Sequence, residues 1–197
     1  AVTILKEGGL VAFPTETVYG LGADALNPYA VAKIFEIKKR PRFDPLIVHV
    51  GEKEWVEQYV RHIPSIAKNL IDTYWPGPLT IIFQKNKVIP DIVTAGLQTV
   101  GLRMPSHTIA LNLIRNFRGP VAAPSANPFG YMSPTKAIHV ARMFKDRDVT
   151  IIDGGDSTYG IESTIVSIQN SSICVHRHGA ICMEELSRIG HVIEAMK

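Results

Sequence analysis

The chain has 197 residues, 46% hydrophobic and 20% charged, with a formal net charge of +3 at pH 7. This composition excludes a disordered or collagen-like chain, and no apolar run reaches the ~18–20 residues that a membrane-spanning helix needs. The small positive excess does not by itself indicate nucleic-acid binding, but it would suit an anionic ligand if the positive side chains converge.

The chain has two cysteines, Cys174 and Cys182, which argues against a disulfide framework and favours a reducing cytoplasm. The first residues show no charged leader followed by a long apolar stretch, so we expect no signal peptide. The first residue is not Met, so a segment upstream could be missing. We therefore expect a cytoplasmic protein with no membrane association.

In the first half of the chain, short apolar runs alternate with segments of helical periodicity, which predicts a mixed α/β fold. Asn27 and Pro28 suit the cap and first turn of a helix. The predicted elements are a strand at 9–13, a helix from 27–28 to about 39, a strand at 46–50, helices at 53–60 and 65–74, a stiff turn at 75–78 and a strand at 79–84.

In the second half, Ser133 and Pro134 repeat the pattern of a cap followed by proline and predict a helix through about Phe144. The other predicted elements are strands at 100–104, 120–123, 150–153, 163–168 and 173–177, and helices at 107–117 and 184–189. With about seven strands and five or six helices, we expect one layered domain built on a twisted sheet.

Polar or charged clusters follow several predicted strands and helices, and the ends of strands in open α/β sheets are where ligands usually bind. The segment 14–22 offers two hydroxyls, a carboxylate and a phenol, but a tight polar turn would explain it equally well. The cationic segment 38–42 either complements a helix dipole or clamps phosphate. We favour the phosphate clamp because the cations are dense before a proline.

Two polar residues lie inside apolar strands. His49 alone in such a run is more often a satisfied core residue than a catalyst. Arg103 must find an anion or several acceptors, which makes it a better candidate for holding a carboxylate or phosphate.

Further clusters lie in the second half of the chain. Ser125 and Asn127 could bond a ligand or simply form a turn, and segment 162–164 enters a strand. Strand alternation would place Cys174, His176 and His178 on one face, but their spacing matches no standard zinc pattern. The chain has no GxxxxGK[ST] loop, GxGxxG after the first strand, GxSxG elbow or HExxH. Any nucleotide must therefore be held by separate side chains.

These clusters, in this order, resemble the YrdC-like family of threonylcarbamoyl-adenylate synthases. The motifs that carry the resemblance are PTETVYGLG at 14–22, KKRP and PLIVHV within 38–50, WPGPLT at 75–80, VGLRMP at 100–105, APSAN at 123–127, SPT at 133–135, STIV at 163–166 and RHG at 177–179. The resemblance implies a single YrdC-like α/β domain over 1–197, in which a twisted, mixed, open sheet with flanking helices presents a basic concave face.

The resemblance also implies an activity. Family members are nucleotidyltransferases that join L-threonine, bicarbonate or CO2, and ATP into threonylcarbamoyl-AMP and release pyrophosphate. Mg2+ would arrive with ATP, and no tightly bound metal is expected. A separate threonylcarbamoyl transferase complex then forms N6-threonylcarbamoyladenosine at position 37 of tRNA, and direct contact with tRNA is possible in such a protein.

Carried over by motif, the site residues fall into two groups, and the resemblance outweighs the interpretation of His49 as core. The threonine side would comprise Thr15, Tyr19, His49, Arg103 and Ser163. The nucleotide side would comprise Lys38, Arg40, Asp44, Thr99, Ser125, Asn127 and Arg177, with Lys38 and Arg40 acting catalytically on the phosphates.

The sequence departs from the family pattern at a few points. Asp44 stands where many relatives carry an Asn that approaches ATP, and a carboxylate there would repel phosphate unless a cation lies between. His178 replaces a proline that often follows the late arginine. Some relatives carry a further C-terminal domain, so the chain is either a short form or a fragment of a long form.

Two other functions remain open at this point. One is a non-catalytic module that binds double-stranded RNA or tRNA through its basic face. The other is a carbamoyl-adenylate-forming domain of the hydrogenase-maturation type, which normally accompanies cysteine-rich zinc motifs that this chain lacks.

Overall fold

A mixed sheet runs through the protein, which we describe from a computed structural model over residues 1–195. Its strands are β1 (Val11–Phe13), β2 (Gly20–Asp24), β3 (Ile47–His49), β4 (Leu79–Gln84), β5 (Thr99–Arg103), β6 (Val121–Ala122), β7 (Thr150–Ile151), β8 (Thr164–Gln169), β9 (Ser172–Arg177) and β10 (Val192–Glu194). Their order in the sheet is β10-β9-β8-β4-β5-β3-β6-β2-β1-β7. The predicted domain extends to residue 197, and residues 196 and 197 lie outside the described part.

Helices accompany this sheet along the whole chain. They are α1 (Val2–Lys6), α2 (Pro28–Lys38), α3 (Val56–Tyr59), α4 (Ser65–Tyr74), α5 (Thr108–Phe117), α6 (Ala137–Met143) and α7 (Met183–Leu186), with a 3₁₀ turn at Lys53–Trp55 before α3. Parallel pairs such as β3 with β5 and β4 with β8 alternate with antiparallel pairs such as β4 with β5. The prediction of an α/β fold with a mixed sheet is therefore confirmed.

The core lies on both faces of the sheet near β1. Val11 and Phe13 belong to one cluster of buried apolar side chains, whereas Ala12 between them belongs to the other. This follows from the alternation of side chains along a strand. Helix α5 adds Ile114 to the first cluster, and α2 adds Ile34 to the second. Helices therefore cover opposite faces of the sheet and form the predicted layers.

Helix α2 begins and ends as its sequence predicts. The side chain of Asn27 accepts hydrogen bonds from the backbone N–H groups of Tyr29 and Ala30, which satisfies two donors of the first turn. Pro28 occupies the first helical position, where its missing N–H costs nothing. The helix stops at Lys39, whose φ of 52° lies in the left-handed region. This ending places Lys38 and Arg40 beside the sheet.

The predicted start of α6 is wrong. The helix begins at Ala137 rather than at Ser133 and Pro134, and Lys136 precedes it without a side-chain cap. The Ser133 hydroxyl instead donates to Oε1 of Glu162 at 2.9 Å. Ser133 therefore tethers the loop before α6 to Glu162, which lies just before the start of β8.

Strand β2 is missing from the sequence prediction, which treats 14–22 as a polar loop. The strand contains Gly20 and Gly22, which weaken a strand pattern because they have no side chain. A Cβ on Gly22 would lie 2.7 Å from Cε1 of Phe13 and 2.9 Å from Cγ1 of Val121. The glycine therefore lets β2 pack closely between β1 and β6. Helix α1 and strand β10 also escape the sequence prediction.

Candidate active site

A cavity of about 220 Å³ opens on one face of the sheet, where β4, β5 and β3 lie side by side. Alternate residues of a strand face the same side of a sheet, so the residues of these strands that reach the cavity are spaced two apart. They are Thr80 and Ile82 of β4, Gly101 and Arg103 of β5, and Ile47 and His49 of β3. The loop after β1 and segments near Ser125 and Ser163 form the walls.

Most of the predicted site residues meet at this cavity. Those that line it are Thr15, Arg40, Asp44, His49, Arg103, Ser125, Ser163 and Arg177. Those that lie outside its lining are Tyr19, Lys38, Thr99 and Asn127. Residues from both predicted groups, the threonine side and the nucleotide side, therefore share one hollow.

Arg103 is held rigidly at the floor of the cavity. Its Nη2 lies 2.6 Å from Oε1 of Glu16, and both side chains are almost fully buried. Nη1 donates to the Thr17 hydroxyl at 3.0 Å, and Nε donates to the Gly77 carbonyl at 3.2 Å. Because three directions of the guanidinium are fixed, it is preorganised to meet an anion on its cavity side.

Arg177, the last residue of β9, lies at the cavity wall beside the segment that precedes β8. Its Nη1 pairs with Oε2 of Glu162. Its Nη2 donates to the carbonyl and the hydroxyl of Ser163, at 2.9 Å and 3.0 Å. The Ser163 hydroxyl also bonds that of Thr80 at 2.8 Å. The late arginine is thereby joined to the serine predicted for the threonine pocket. Burial lowers the pKa of Arg177, although a guanidinium stays charged.

Arg40 lies at the cavity wall after α2. Its Nη2 lies 2.9 Å from Oδ1 of Asp44 and donates to the Pro45 carbonyl at 3.0 Å. Its Nε donates to the backbone carbonyl of Asp44 at 3.2 Å. The Asp44 carboxylate, which the sequence analysis expected to need a nearby cation, therefore pairs with Arg40. The pKa of Arg40 is lowered. Burial is the largest cause, and the nearby Asp44 carboxylate acts in the opposite direction and raises the pKa.

Three positive side chains thus line one cavity, and each has an acidic partner. Arg103 pairs with Glu16, Arg177 with Glu162, and Arg40 with Asp44. An anionic ligand entering this cavity must therefore compete with carboxylates as well as exploit the guanidinium groups.

Lys38 is buried beneath the cavity instead of lining it. Its ammonium donates to the backbone carbonyl of Ser125 at 2.6 Å and to that of Asn127. Burial, with a smaller contribution from the positive charge of Arg40, lowers the pKa of Lys38 to about 7. The lysine fastens the 125–127 segment to the end of α2, so it fixes the wall on which Ser125 lies.

His49 is buried at the cavity floor beside Arg103. Burial lowers its pKa to about 3, and the nearby positive charge of Arg103 adds to the effect. The imidazole is therefore neutral near pH 7. Its ring packs edge-on against Phe13, with centroids 6.3 Å apart and an interplanar angle of 89°. Nδ1 is buried and has no hydrogen-bond partner among the described residues.

The loop after β1 holds its hydroxyls in a fixed arrangement. The hydroxyl of Thr15 donates to the carbonyl of Val18 at 2.6 Å and lies 2.9 Å from that of Thr17. Tyr19 points elsewhere, because its hydroxyl donates to the Gly155 carbonyl at 2.7 Å and accepts from the Gly154 N–H. Burial raises the pKa of Tyr19. The contact of Tyr19 ties the loop to the segment after β7.

The two remaining predicted residues also lie beyond the lining. Thr99 starts β5 and pairs with Gln84 at the end of β4. Asn127 is buried, and its amide donates to the carbonyls of Pro128 and Tyr131. Asn127 therefore shapes the loop around Ser125, while its Oδ1 has no partner among the described residues.

Comparison with known proteins agrees with this architecture. The profile of the Sua5/YciO/YrdC family, described as telomere recombination, matches residues 3–179. The chain belongs to this family. A protein of Pyrococcus abyssi named threonylcarbamoyl-AMP synthase is 47% identical over 96% of this chain and 56% of its own length. One of the same name from Bacillus subtilis is 47% identical over 96% of this chain and 55% of its own length.

A solved structure of a Sua5/YciO/YrdC protein matches equally closely. The crystal structure of P. abyssi Sua5 complexed with L-threonine has a TM-score of 0.94 and 45% identity, covering 98% of this chain and 57% of that one. The chain spans about half the length of the curated relatives it matches, since it covers 56%, 55% and 52% of the first three.

Several residues of this Sua5/YciO/YrdC site escape prediction from the sequence. Glu16 and Glu162 appear there only as parts of clusters, and Thr17 and Thr80 have no assigned role. Their functions depend on partners far along the chain, since 87 residues separate Glu16 from Arg103. The available signal was the arginine itself, because an arginine in an apolar strand requires an acceptor.

The side chains considered for zinc do not converge in this Sua5/YciO/YrdC fold. Cys174 is buried, Nε2 of His176 lies 2.8 Å from the Ser167 hydroxyl, and Nε2 of His178 lies 3.1 Å from Oε1 of Glu194. Over residues 1–195, no group of three or more His, Cys, Asp and Glu is placed to hold a metal ion. In the same part of the chain, none of the helices is long and apolar enough to cross a membrane.

Proposed function

We propose that this chain carries the catalytic site of a threonylcarbamoyl-AMP synthase, which makes threonylcarbamoyl-AMP and pyrophosphate from L-threonine, bicarbonate or CO2, and ATP. The observation that carries the proposal is the convergence of Arg40, Arg103 and Arg177 on one cavity that also presents Thr15 and Ser163. The names of the relatives from P. abyssi and B. subtilis support it.

The threonine side is proposed to lie against the floor of the cavity. Arg103 would bind the carboxylate of threonine, because it lines the cavity and its contacts with Glu16 and Thr17 hold the guanidinium in place. Neutral His49 lines the cavity and is proposed to contact the bound amino acid there. The hydroxyls of Thr15 and Ser163 complete a polar pocket for the threonine side chain.

The nucleotide side is proposed to lie toward Arg40 and Arg177. These guanidinium groups would bind the phosphates, and Ser125 would contact the adenylate from the wall formed by residues 123–125. Lys38 and Asn127 lie behind that wall, so their proposed role is to fix the segment on which Ser125 lies. Thr99 lies at the start of β5 and is proposed to reach the nucleotide at the edge of the site.

The reaction then needs little covalent chemistry from the protein. The neutral amine of threonine bonds to the carbon of CO2 while one C=O electron pair moves to oxygen, and the nitrogen then loses a proton to water, which gives a carbamate. An oxygen of the carbamate attacks the α-phosphorus of ATP, the bond to the bridging oxygen breaks, and pyrophosphate leaves with that electron pair. The arginines would hold both substrates in line and offset the charge on the phosphates, which makes the reaction a nucleotidyl transfer.

Magnesium is proposed to enter with ATP. The carboxylates of Asp44 and Glu162 reach the cavity, but each already pairs with an arginine. Mg2+ commonly takes its ligands from substrate phosphates and water with only one or two carboxylates, which fits such a site. When bound, the ion would neutralise phosphate charge.

The product is proposed to serve tRNA modification in the cytoplasm. Threonylcarbamoyl-AMP is a mixed anhydride, and a separate threonylcarbamoyl transferase complex would move its acyl group to adenosine 37 of tRNA. Contact between this chain and tRNA is part of the proposal only as a transient step, since the cavity is sized for small molecules.

The test is release of pyrophosphate from ATP, measured with purified chain in the presence and absence of L-threonine and bicarbonate. We expect pyrophosphate to be released only when L-threonine and bicarbonate are both present. A module that only binds RNA would give no threonine-dependent release and a strongly salt-dependent RNA affinity. A carbamoyl-adenylate-forming domain would consume ATP without requiring threonine. Either result would contradict the proposal.

A further inference from the structure

Asp44 pairs with Arg40, the residue that the proposed function assigns to the phosphates. Nη2 of Arg40 lies 2.9 Å from Oδ1 of Asp44, and both residues line the cavity. We propose that the Asp44 carboxylate competes with nucleotide phosphate for Arg40 and so sets the nucleotide affinity well below what the cavity could reach. This inference rests on the proposed function, since it assumes that Arg40 binds phosphate.

The carboxylate is not needed to orient Arg40. Nε donates to the backbone carbonyl of Asp44 at 3.2 Å, and Nη2 donates to the Pro45 carbonyl at 3.0 Å. These two acceptors belong to the main chain and remain when the side chain at 44 changes. A neutral side chain at this position would therefore leave the guanidinium in place and without its competing anion.

The pair is also partly removed from water. The side chain of Arg40 is 15% exposed and that of Asp44 is 35% exposed. Attraction and repulsion between charges are stronger at such a site than between fully exposed groups. A phosphate that reaches Arg40 must displace the carboxylate or lie beside it, and either arrangement weakens binding.

Asp44 is the most suitable of the acidic partners for a test. Glu16 is almost fully buried, so its removal would disturb folding. Glu162 also accepts from the hydroxyl of Ser133, so its loss would release a second contact. Within the described residues, the Asp44 carboxylate pairs with Arg40 alone.

The experiment titrates ATP, and separately inorganic pyrophosphate, into the full chain by calorimetry at low ionic strength. We expect Asp44→Asn to bind both about three- to tenfold more tightly than the unchanged chain. The matched control is Asp72→Asn, which removes the same charge from an exposed pair with Lys53 that lies outside the cavity lining. The control should bind as the unchanged chain does.

A second variant tests the route of the effect. In an Arg40→Ala background, Asp44→Asn should increase the affinity for ATP and pyrophosphate by less than half as much, because the guanidinium for which Asp44 competes is absent. Affinity of Asp44→Asn equal to or weaker than that of the control would overturn the inference while leaving the proposed function intact. Failure of the unchanged chain to bind either probe would contradict both.

Discussion

Oε1 of Glu16 and Nη2 of Arg103 lie 2.6 Å apart, although 87 residues separate them along the chain. Both side chains are almost fully buried. The pair fastens the loop after β1 to the end of β5, and it holds the guanidinium that faces the cavity. Oε2 of Glu16 has no hydrogen-bond partner among the described residues, so Arg103 supplies the main compensation for its charge.

Replacing Glu16 by Gln should lower the free energy of unfolding by about 3–5 kcal/mol, because the arginine is left buried without its counter-ion. Denaturant unfolding measures this loss. The matched control is Glu52→Gln, which breaks a half-exposed pair with Arg115 and should cost about 0–1 kcal/mol. Equal losses in the two variants would show that burial does not strengthen the pair of Glu16.

Arg40→Ala should abolish threonine-dependent release of pyrophosphate while the thermal midpoint stays near that of the unchanged chain. The side chain is held mainly by main-chain carbonyls near the surface, so the core does not depend on it. Arg115→Ala, outside the cavity lining, serves as the control and should keep full activity. Retained activity in Arg40→Ala would exclude the phosphate-binding role.

His49 should make the fold sensitive to acid. Burial lowers its pKa from 6.5 to about 3, so the unfolded chain takes up a proton between these values and the folded chain does not. The contribution of neutral His49 to the free energy of unfolding is therefore fully present above pH 6.5, and it is lost progressively as the pH falls toward 3. Between pH 6.5 and 5, the loss should reach about 1–2 kcal/mol.

Denaturant unfolding at several pH values checks this prediction. His49→Gln should flatten the slope of stability against pH in that window, where most carboxyl groups do not titrate. His62→Gln changes an exposed histidine and should keep the slope of the unchanged chain. The same slope in the His49 variant would contradict the assignment.

Gly179→Ala should destabilise the chain by about 3 kcal/mol through overpacking. An added Cβ would lie 2.4 Å from the carbonyl oxygen of Glu162 and 2.5 Å from backbone atoms of Ser163 and Thr164. These atoms are main chain and cannot turn aside. Gly190→Ala is the control, since its Cβ would meet only side-chain atoms at 3.7 Å or beyond. Equal thermal midpoints would disprove the predicted clash.

The elements predicted best from the sequence are those with strong local signals. The helix at 65–74 and the strand at 79–84 have the observed bounds, because periodicity and a proline-rich turn separate them. Strand β2 escapes prediction because its glycines matter only when Phe13 and Val121 approach. The start of α6 is misassigned because Ser133 bonds Glu162 rather than its own helix.

In the candidate site, too, the residues with a strong local signal are the ones that the sequence predicts best. Arg103 and Ser163 are recognisable in the sequence as polar residues in or beside apolar strands, and both reach the cavity. The acidic partners of the arginines cannot be recognised in the sequence, because nothing local distinguishes Glu16 or Glu162 from an ordinary surface carboxylate. Whether Lys38 lines the hollow or lies behind its wall likewise depends on where the 125–127 segment passes.

The order of strands in the sheet bears on synthesis at the ribosome. β4 pairs with β8 on one side and with β5 on the other, so the cavity joins a loop near the start of the chain to Arg177 near its end. A nascent polypeptide cannot complete this cavity until the residues up to Arg177 have emerged from the ribosome. Chains terminated before Arg177 would therefore lack part of the cavity wall.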